Sequence, residues 1–142
     1  MRIAINGFGR IGRITLRALL QRTGLEIIAI NDLSDTRTLA HLFKYDSVHR
    51  GFQGDVSAEN AHLIINGQKI RVFSEKDPSQ LPWKEMNVDL VIESTGKFTD
   101  KAGAGLHLQA GARQVIISAP SSDREIATLV LGVNDHLVDL LD

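Results

Sequence analysis

The sequence predicts an α/β fold: a doubly wound, mostly parallel sheet with helices on both faces and an antiparallel hairpin at one edge. Three observations carry this expectation. Short apolar runs at 2–6, 25–30, 88–93 and 114–118 have the length and composition of strands buried on both faces. Segments of helical period alternate with them, which is the pattern of crossover connections. Asn66-Gly67, flanked by His62-Leu63-Ile64-Ile65 and Lys69-Ile70-Arg71-Val72-Phe73, is the strongest short signal for a hairpin, with Gln68 opening the return strand.

The chain has 142 residues, enough for one domain with its own core, and no repeat, low-complexity tract or internal boundary interrupts it. A net charge of −1 argues against a large nucleic-acid or anionic-membrane patch. No run reaches the length of a membrane span, and strand residues begin directly after Met1, so neither a membrane partner nor a signal peptide is expected. A cytoplasmic location follows as the default. The chain has no cysteine, which removes disulfides, thiolate metal sites and a thiol nucleophile.

In order, the first strand (2–6) runs into Gly7-Phe8-Gly9-Arg10-Ile11-Gly12. At G-x-G-x-x-G spacing each glycine has a job: Gly7 for the tight turn, Gly9 for close approach of a pyrophosphate, Gly12 for packing of helix on strand. A helix is expected from Arg10 to Arg22, with Ile11, Ile14 and Ala18 as its apolar stripe, widened by Leu16, Leu19 and Leu20. Its N-terminus, carrying roughly half an elementary charge, would face the phosphates. Gly24 breaks the helix, and residues 25–30 form the second strand, closing on Asn31-Asp32. Asp32 lies about 20 residues past the last glycine, where a carboxylate can accept hydrogen bonds from a ribose diol. Glycine turn and acid together point to a dinucleotide.

A second helix is expected over 35–45, capped by Ser34 or Asp35, with Leu39, Leu42 and Phe43 on one face. Residues 45–51 read as a loop, followed by the hairpin. Residues 74–78 form a turn, and Pro82-Trp83 opens a linker to the strand at 88–93. Asp100 caps a helix to Gln109, weakened by Gly103 and Gly105 at roughly 1 kcal/mol each. Gly111 ends it, a strand at 114–118 is stopped by Pro120, and a last strand covers 128–133 before Asn134-Asp135 and an apolar tail. Ligands of such sheets bind beyond the strand C-termini where the order reverses. The loops at Asn6-Gly7, Asn31-Asp32, Ser94-Thr95-Gly96 and Ser118-Ala119 can therefore meet at one crevice.

Six segments carry a family resemblance: 5–13 (INGFGRIGR), 30–33 (INDL), 44–47 (KYDS), 93–96 (ESTG), 115–120 (VIISAP) and 131–134 (LGVN). In this order they resemble the NAD-binding domain of phosphorylating glyceraldehyde-3-phosphate dehydrogenase, a Rossmann-type fold. The resemblance implies NAD as cofactor and, for a whole enzyme, glyceraldehyde 3-phosphate and inorganic phosphate as substrates in a homo-tetramer. It implies that Gly7, Gly9, Arg10 and Ile11 hold the pyrophosphate, and Asn31 and Asp32 the adenosine ribose side. Lys76, Thr95, Gly96 and Ser118 would line the adenine and nicotinamide ends. Residues 1–142 would form the cofactor domain alone. The family's catalytic cysteine, in a Ser-Cys-Thr-Thr-Asn segment, and its histidine base have no counterpart here, so no catalytic residue is assigned.

Plainer readings stand beside these. Asp32 can cap a strand end, Arg10 can be a solvated or interface residue, and Lys76 is by default an exposed turn residue. A carboxylate at Asp32 disfavours the extra phosphate of NADP, although Arg37 keeps that cofactor in view. Ser94-Thr95-Gly96-Lys97 is no phosphate loop, since Phe98 follows the lysine and Val91 stands where a glycine is required. His41, His49, His62, His107 and His136 lack metal-ligand spacing, so no metal site is expected. Trp83 and Phe98 read as packing residues. Erythrose-4-phosphate dehydrogenase, a stand-alone NAD-binding module and an RNA-binding role remain as alternatives, the last with little support from the charge.

Overall fold

The computed structural model describes residues 1–45, 54–98, 100–118 and 128–132, the last as backbone. Eight strands form one sheet: β1 (Arg2–Asn6), β2 (Glu26–Asn31), β3 (Val56–Glu59), β4 (His62–Ile65), β5 (Gln68–Phe73), β6 (Leu90–Glu93), β7 (Gln114–Ser118) and β8 (Thr128–Gly132). Three helices, α1 (Arg10–Leu19), α2 (Thr36–Tyr45) and α3 (Lys101–Gln109), accompany them among the described residues. The order is β3-β4-β5-β2-β1-β6-β7-β8. The five central strands, β5 to β7, are parallel. β3 and β4 continue outward from β5 as an antiparallel meander, and β8 lies antiparallel on β7 at the other edge.

The pleat of β1 sorts the core into two layers, because successive side chains point to opposite faces. Ile3 and Ile5 pack with Leu16 of α1 and with Leu39 and Phe43 of α2. Ala4, on the other face, joins Val91, Trp83, Val115 and Ala104 of α3. Both faces are thus covered, and the chain changes face between β1 and β6, neighbours at the centre of the sheet. The hairpin turn Asn66-Gly67 has positive φ at both residues, +51° and +84°, which is the geometry that favours Asn-Gly.

Several details differ from the sequence reading. α1 ends at Leu19 instead of Arg22, and only the Leu16, Leu19 and Leu20 side of its expected stripe packs on the core. Ile14 is 52% exposed, while Gly12 and Leu16 are buried. The physical reason is Gly12: a Cβ there would collide with the Gly7 carbonyl, so this position sits hard against the turn and fixes the rotation of the helix. Residues at i+4 and i+7 from Gly12, Leu16 and Leu19, then turn inward. β3 was not expected at all, being polar and largely exposed beyond Val56. β6 begins at Leu90, although Val88 is buried and donates its amide to the Trp83 carbonyl. The expected loop beyond Tyr45, the stop at Pro120, Val133 and the tail lie outside the described residues.

Candidate functional site

Where the strand order reverses, the C-terminal ends of four parallel strands surround a crevice of about 570 Å³. Asn6, Gly7 and Gly9 follow β1, and Asn31, Asp32 and Leu33 follow β2. Glu75 and Lys76 come from the loop after β5, and Ser94, Thr95, Lys97 and Phe98 from the loop after β6. A hollow of that size suits a small-molecule ligand.

The glycine turn is held from both sides. The Gly7 amide donates to the Asn31 carbonyl at 2.8 Å, and the Phe8 amide to Asp32 Oδ2 at 2.7 Å. Ser94 Oγ reaches the Gly7 carbonyl at 2.7 Å, and the Arg13 guanidinium the Phe8 carbonyl at 3.0 Å. At Gly7, φ is +93°, and a Cβ would stand 2.7 Å from Thr95 Cγ2 and 2.8 Å from its amide nitrogen. Only glycine fits there. Gly9 differs. Its φ of −79° suits any residue, and an added Cβ would meet nothing within 4 Å. Among the described residues nothing demands a glycine at this position. No side chain caps α1, which begins directly after Gly9, so its first N–H groups are available to an anion.

Of the residues singled out in the sequence, Gly7, Gly9, Asn31, Asp32, Lys76 and Thr95 line the crevice. Arg10 and Ile11 form the first turn of α1 beside it, and Gly96, at φ +78°, bends the loop between Thr95 and Lys97. Ser118 ends β7, one strand further out. Asn31 is 3% exposed and its amide is already engaged: Nδ2 donates to the Glu75 carbonyl and to Asn6 Oδ1, and Oδ1 accepts from the Glu75 amide. It positions the loop that carries Lys76. Asp32 accepts one backbone N–H on each oxygen, from Phe8 and Ser34, which leaves each oxygen a free lone pair.

The sequence alone gives Lys97 and Leu33 no site role and reads Phe98 as a packing residue, yet all three line the crevice. It also passed over Glu93 and His107, buried beneath it and hydrogen-bonded at 2.7 Å. The signal was a charged residue closing the apolar run of β6, and a histidine three residues after Ala104 on the buried side of α3. Trp83, fully buried, donates its indole N–H to His107 Nδ1 at 3.0 Å.

The profile of "Glyceraldehyde 3-phosphate dehydrogenase, NAD binding domain" matches residues 1–101. The chain is 54% identical over 142 residues to a glyceraldehyde-3-phosphate dehydrogenase of Mycoplasma pneumoniae, covering 100% of this chain and 42% of the relative. It is 56% identical over 136 residues to that of Thermotoga maritima, covering 94% and 40%. Against glyceraldehyde-3-phosphate dehydrogenase 1 of Bacillus cereus the identity is 51% over 138 residues, covering 97% and 41%. The chain thus spans about two fifths of the length of these relatives.

Proposed function

The chain belongs to the glyceraldehyde-3-phosphate dehydrogenase family and carries its NAD-binding domain, and from that premise we propose how its residues hold the cofactor. The pyrophosphate lies over Gly9 at the uncapped start of α1, the observation that carries this reading. Asp32 accepts the adenosine ribose hydroxyls on its free lone pairs. Leu33 and Phe98, the large apolar side chains of the crevice, offer faces for a flat ring, and Lys76 and Lys97 balance the phosphate charge. Arg10, Ile11, Gly96 and Ser118 keep the roles the resemblance implies, with Arg10 and Ile11 at the helix start. A carboxylate at Asp32 favours NAD over NADP.

In the complete enzyme this domain serves the oxidation of glyceraldehyde 3-phosphate, with inorganic phosphate, to 1,3-bisphosphoglycerate. The cofactor supplies the hydride acceptor, while residues 1–142 bind and orient it as a single domain. The relatives are glyceraldehyde-3-phosphate dehydrogenases by name, which favours this substrate over erythrose 4-phosphate. A homo-tetramer in the cytoplasm remains what the resemblance implies, and the net charge of −1 disfavours a nucleic-acid or anionic-membrane partner. Among the described residues no helix is long and apolar enough to cross a membrane.

Calorimetric titration of the 142-residue protein with NAD tests the reading. Saturable binding is expected, weakened in Asp32→Ala by roughly 1.5–3 kcal/mol because a charged acceptor is lost. Absence of binding at millimolar NAD, with the fold intact by circular dichroism, would overturn it.

A further inference from the structure

A full negative charge lies directly beneath the crevice. Glu93 ends β6 with 1% of its surface exposed. Its Oε1 accepts from Asn6 Nδ2 at 2.6 Å and from His107 Nε2 at 2.7 Å. Its Oε2 accepts from the Thr95 amide at 3.0 Å and the Thr95 hydroxyl at 2.6 Å. Asn6 and Thr95 both line the crevice, so the carboxylate sits one hydrogen bond below its surface.

None of these donors brings a positive charge. His107 could do so only if doubly protonated, but its Nδ1 faces the indole N–H of Trp83 at 3.0 Å, and an indole nitrogen can only donate. A second ring proton would set two N–H groups against each other in a fully buried site. The imidazole is therefore neutral, with its proton on Nε2 and directed at Glu93. Among the described residues no lysine or arginine pairs with this carboxylate. Burial alone would raise the pKa of Glu93, but the hydrogen bonds from His107, Thr95 and Asn6 outweigh it and hold the carboxyl below the usual glutamate value.

We propose that the Glu93 carboxylate is a fixed buried anion that makes the crevice discriminate between redox states of its dinucleotide, holding the oxidised form more tightly than the reduced one. The proposal rests on the reading that this crevice binds NAD. Adding a hydride to the nicotinamide ring removes the ring's positive charge and leaves the adenosine, riboses and pyrophosphate unchanged. Contacts to those shared parts cancel in the ratio of the two affinities. The Coulomb interaction of the ring charge with Glu93 does not cancel. Unit charges about 10 Å apart, at an effective dielectric near 20, alter a binding constant on the order of tenfold.

The experiment titrates NAD and NADH separately into the wild-type 142-residue protein and into Glu93→Gln and Glu93→Asp. Wild type is expected to bind NAD several-fold more tightly than NADH. In Glu93→Gln the ratio of NAD to NADH affinity shifts toward NADH by about tenfold. In Glu93→Asp both affinities drop together and the ratio stays, because the charge is kept. A Glu93→Gln protein that loses both affinities by one factor would make the residue a strut for Asn6 and Thr95, and would overturn the proposal. Wild type needs no variant to fold, and a preference for NADH there overturns the proposal as well. Nitrogen-15 shifts of His107 must report the neutral Nε2–H tautomer at neutral pH; an imidazolium would cancel the anion and refute it. If wild type binds neither nucleotide, the cofactor reading itself falls, and this inference with it.

Discussion

Gly7, Gly9 and Gly12 answer to three different constraints, and substitutions separate them. Gly7→Ala must adopt φ +93° and push its methyl into Thr95, so it is expected to cost at least about 1–3 kcal/mol of stability in urea unfolding. Gly9→Ala meets open space at an ordinary φ. Its stability should stay within about 0.5 kcal/mol of wild type or rise slightly, while NAD affinity drops. A Gly9→Ala protein that binds NAD normally would show that no ligand crosses that backbone. The turn at Gly7, the close packing at Gly12 and the placement of Asp32 at the crevice could be read from the sequence because their constraint is local: a turn, a helix start and an acid at a set distance. Glu93 could not. Its partners Asn6 and His107 lie 87 and 14 residues away, and only the sheet brings them together. Asn31, likewise, looks like a ligand contact beside Asp32 until Glu75, 44 residues on, takes both ends of its amide.

Elements were legible where their own residues determine them. The hairpin at Asn66-Gly67 and the cap of α3 fall in this class. Asp100 Oδ1 accepts the Gly103 amide at 2.7 Å, and a Cβ at 103 would stand 2.6 Å from that oxygen, so this glycine serves the cap it was expected only to weaken. Asp100→Ala should cost about 1 kcal/mol, within the usual range for a lost N-cap, read from the shift of the urea midpoint at unchanged m-value. A loss near zero would mean that water replaces the cap without penalty. The orientation of α1 was illegible for the opposite reason. Its sequence reads as one broad apolar stripe from Ile11 and Ile14 across to Leu16 and Leu19, and a contact with the preceding turn selects the leucine side. β3 has almost no apolar alternation, since pairing with β4 makes it a strand and burial does not.

At the scale of the molecule, the buried hydrogen-bonded carboxylate links stability to acidity. The native pKa of Glu93 lies below its unfolded value, so its contribution is complete above the ordinary glutamate value, about 4.3. It is lost as pH falls through the lower native value, because the unfolded state then binds a proton that the native state resists. Urea unfolding across that range should show stability declining with falling pH, and Glu93→Gln should flatten the decline. An unchanged slope in the variant would show that other carboxylates carry it. Activity makes the remaining prediction. An acyl-transferring dehydrogenation of this family needs a thiolate to add to the aldehyde, and the 142 residues contain no cysteine. Purified protein given glyceraldehyde 3-phosphate, phosphate and NAD should produce no NADH absorbance; turnover free of host enzyme would contradict this.

The place of β1 in the sheet has a consequence for how the chain is made. β1 leaves the ribosome before either strand it pairs with, since Ile3 pairs with Ile27 on one side and with Leu90 on the other. At about 5–20 residues per second, the roughly 60 residues between those partners take several seconds to synthesise. For that interval the nascent chain presents an apolar strand with one edge open. Such an edge is a template for mispairing with other chains and a natural footprint for a holdase chaperone.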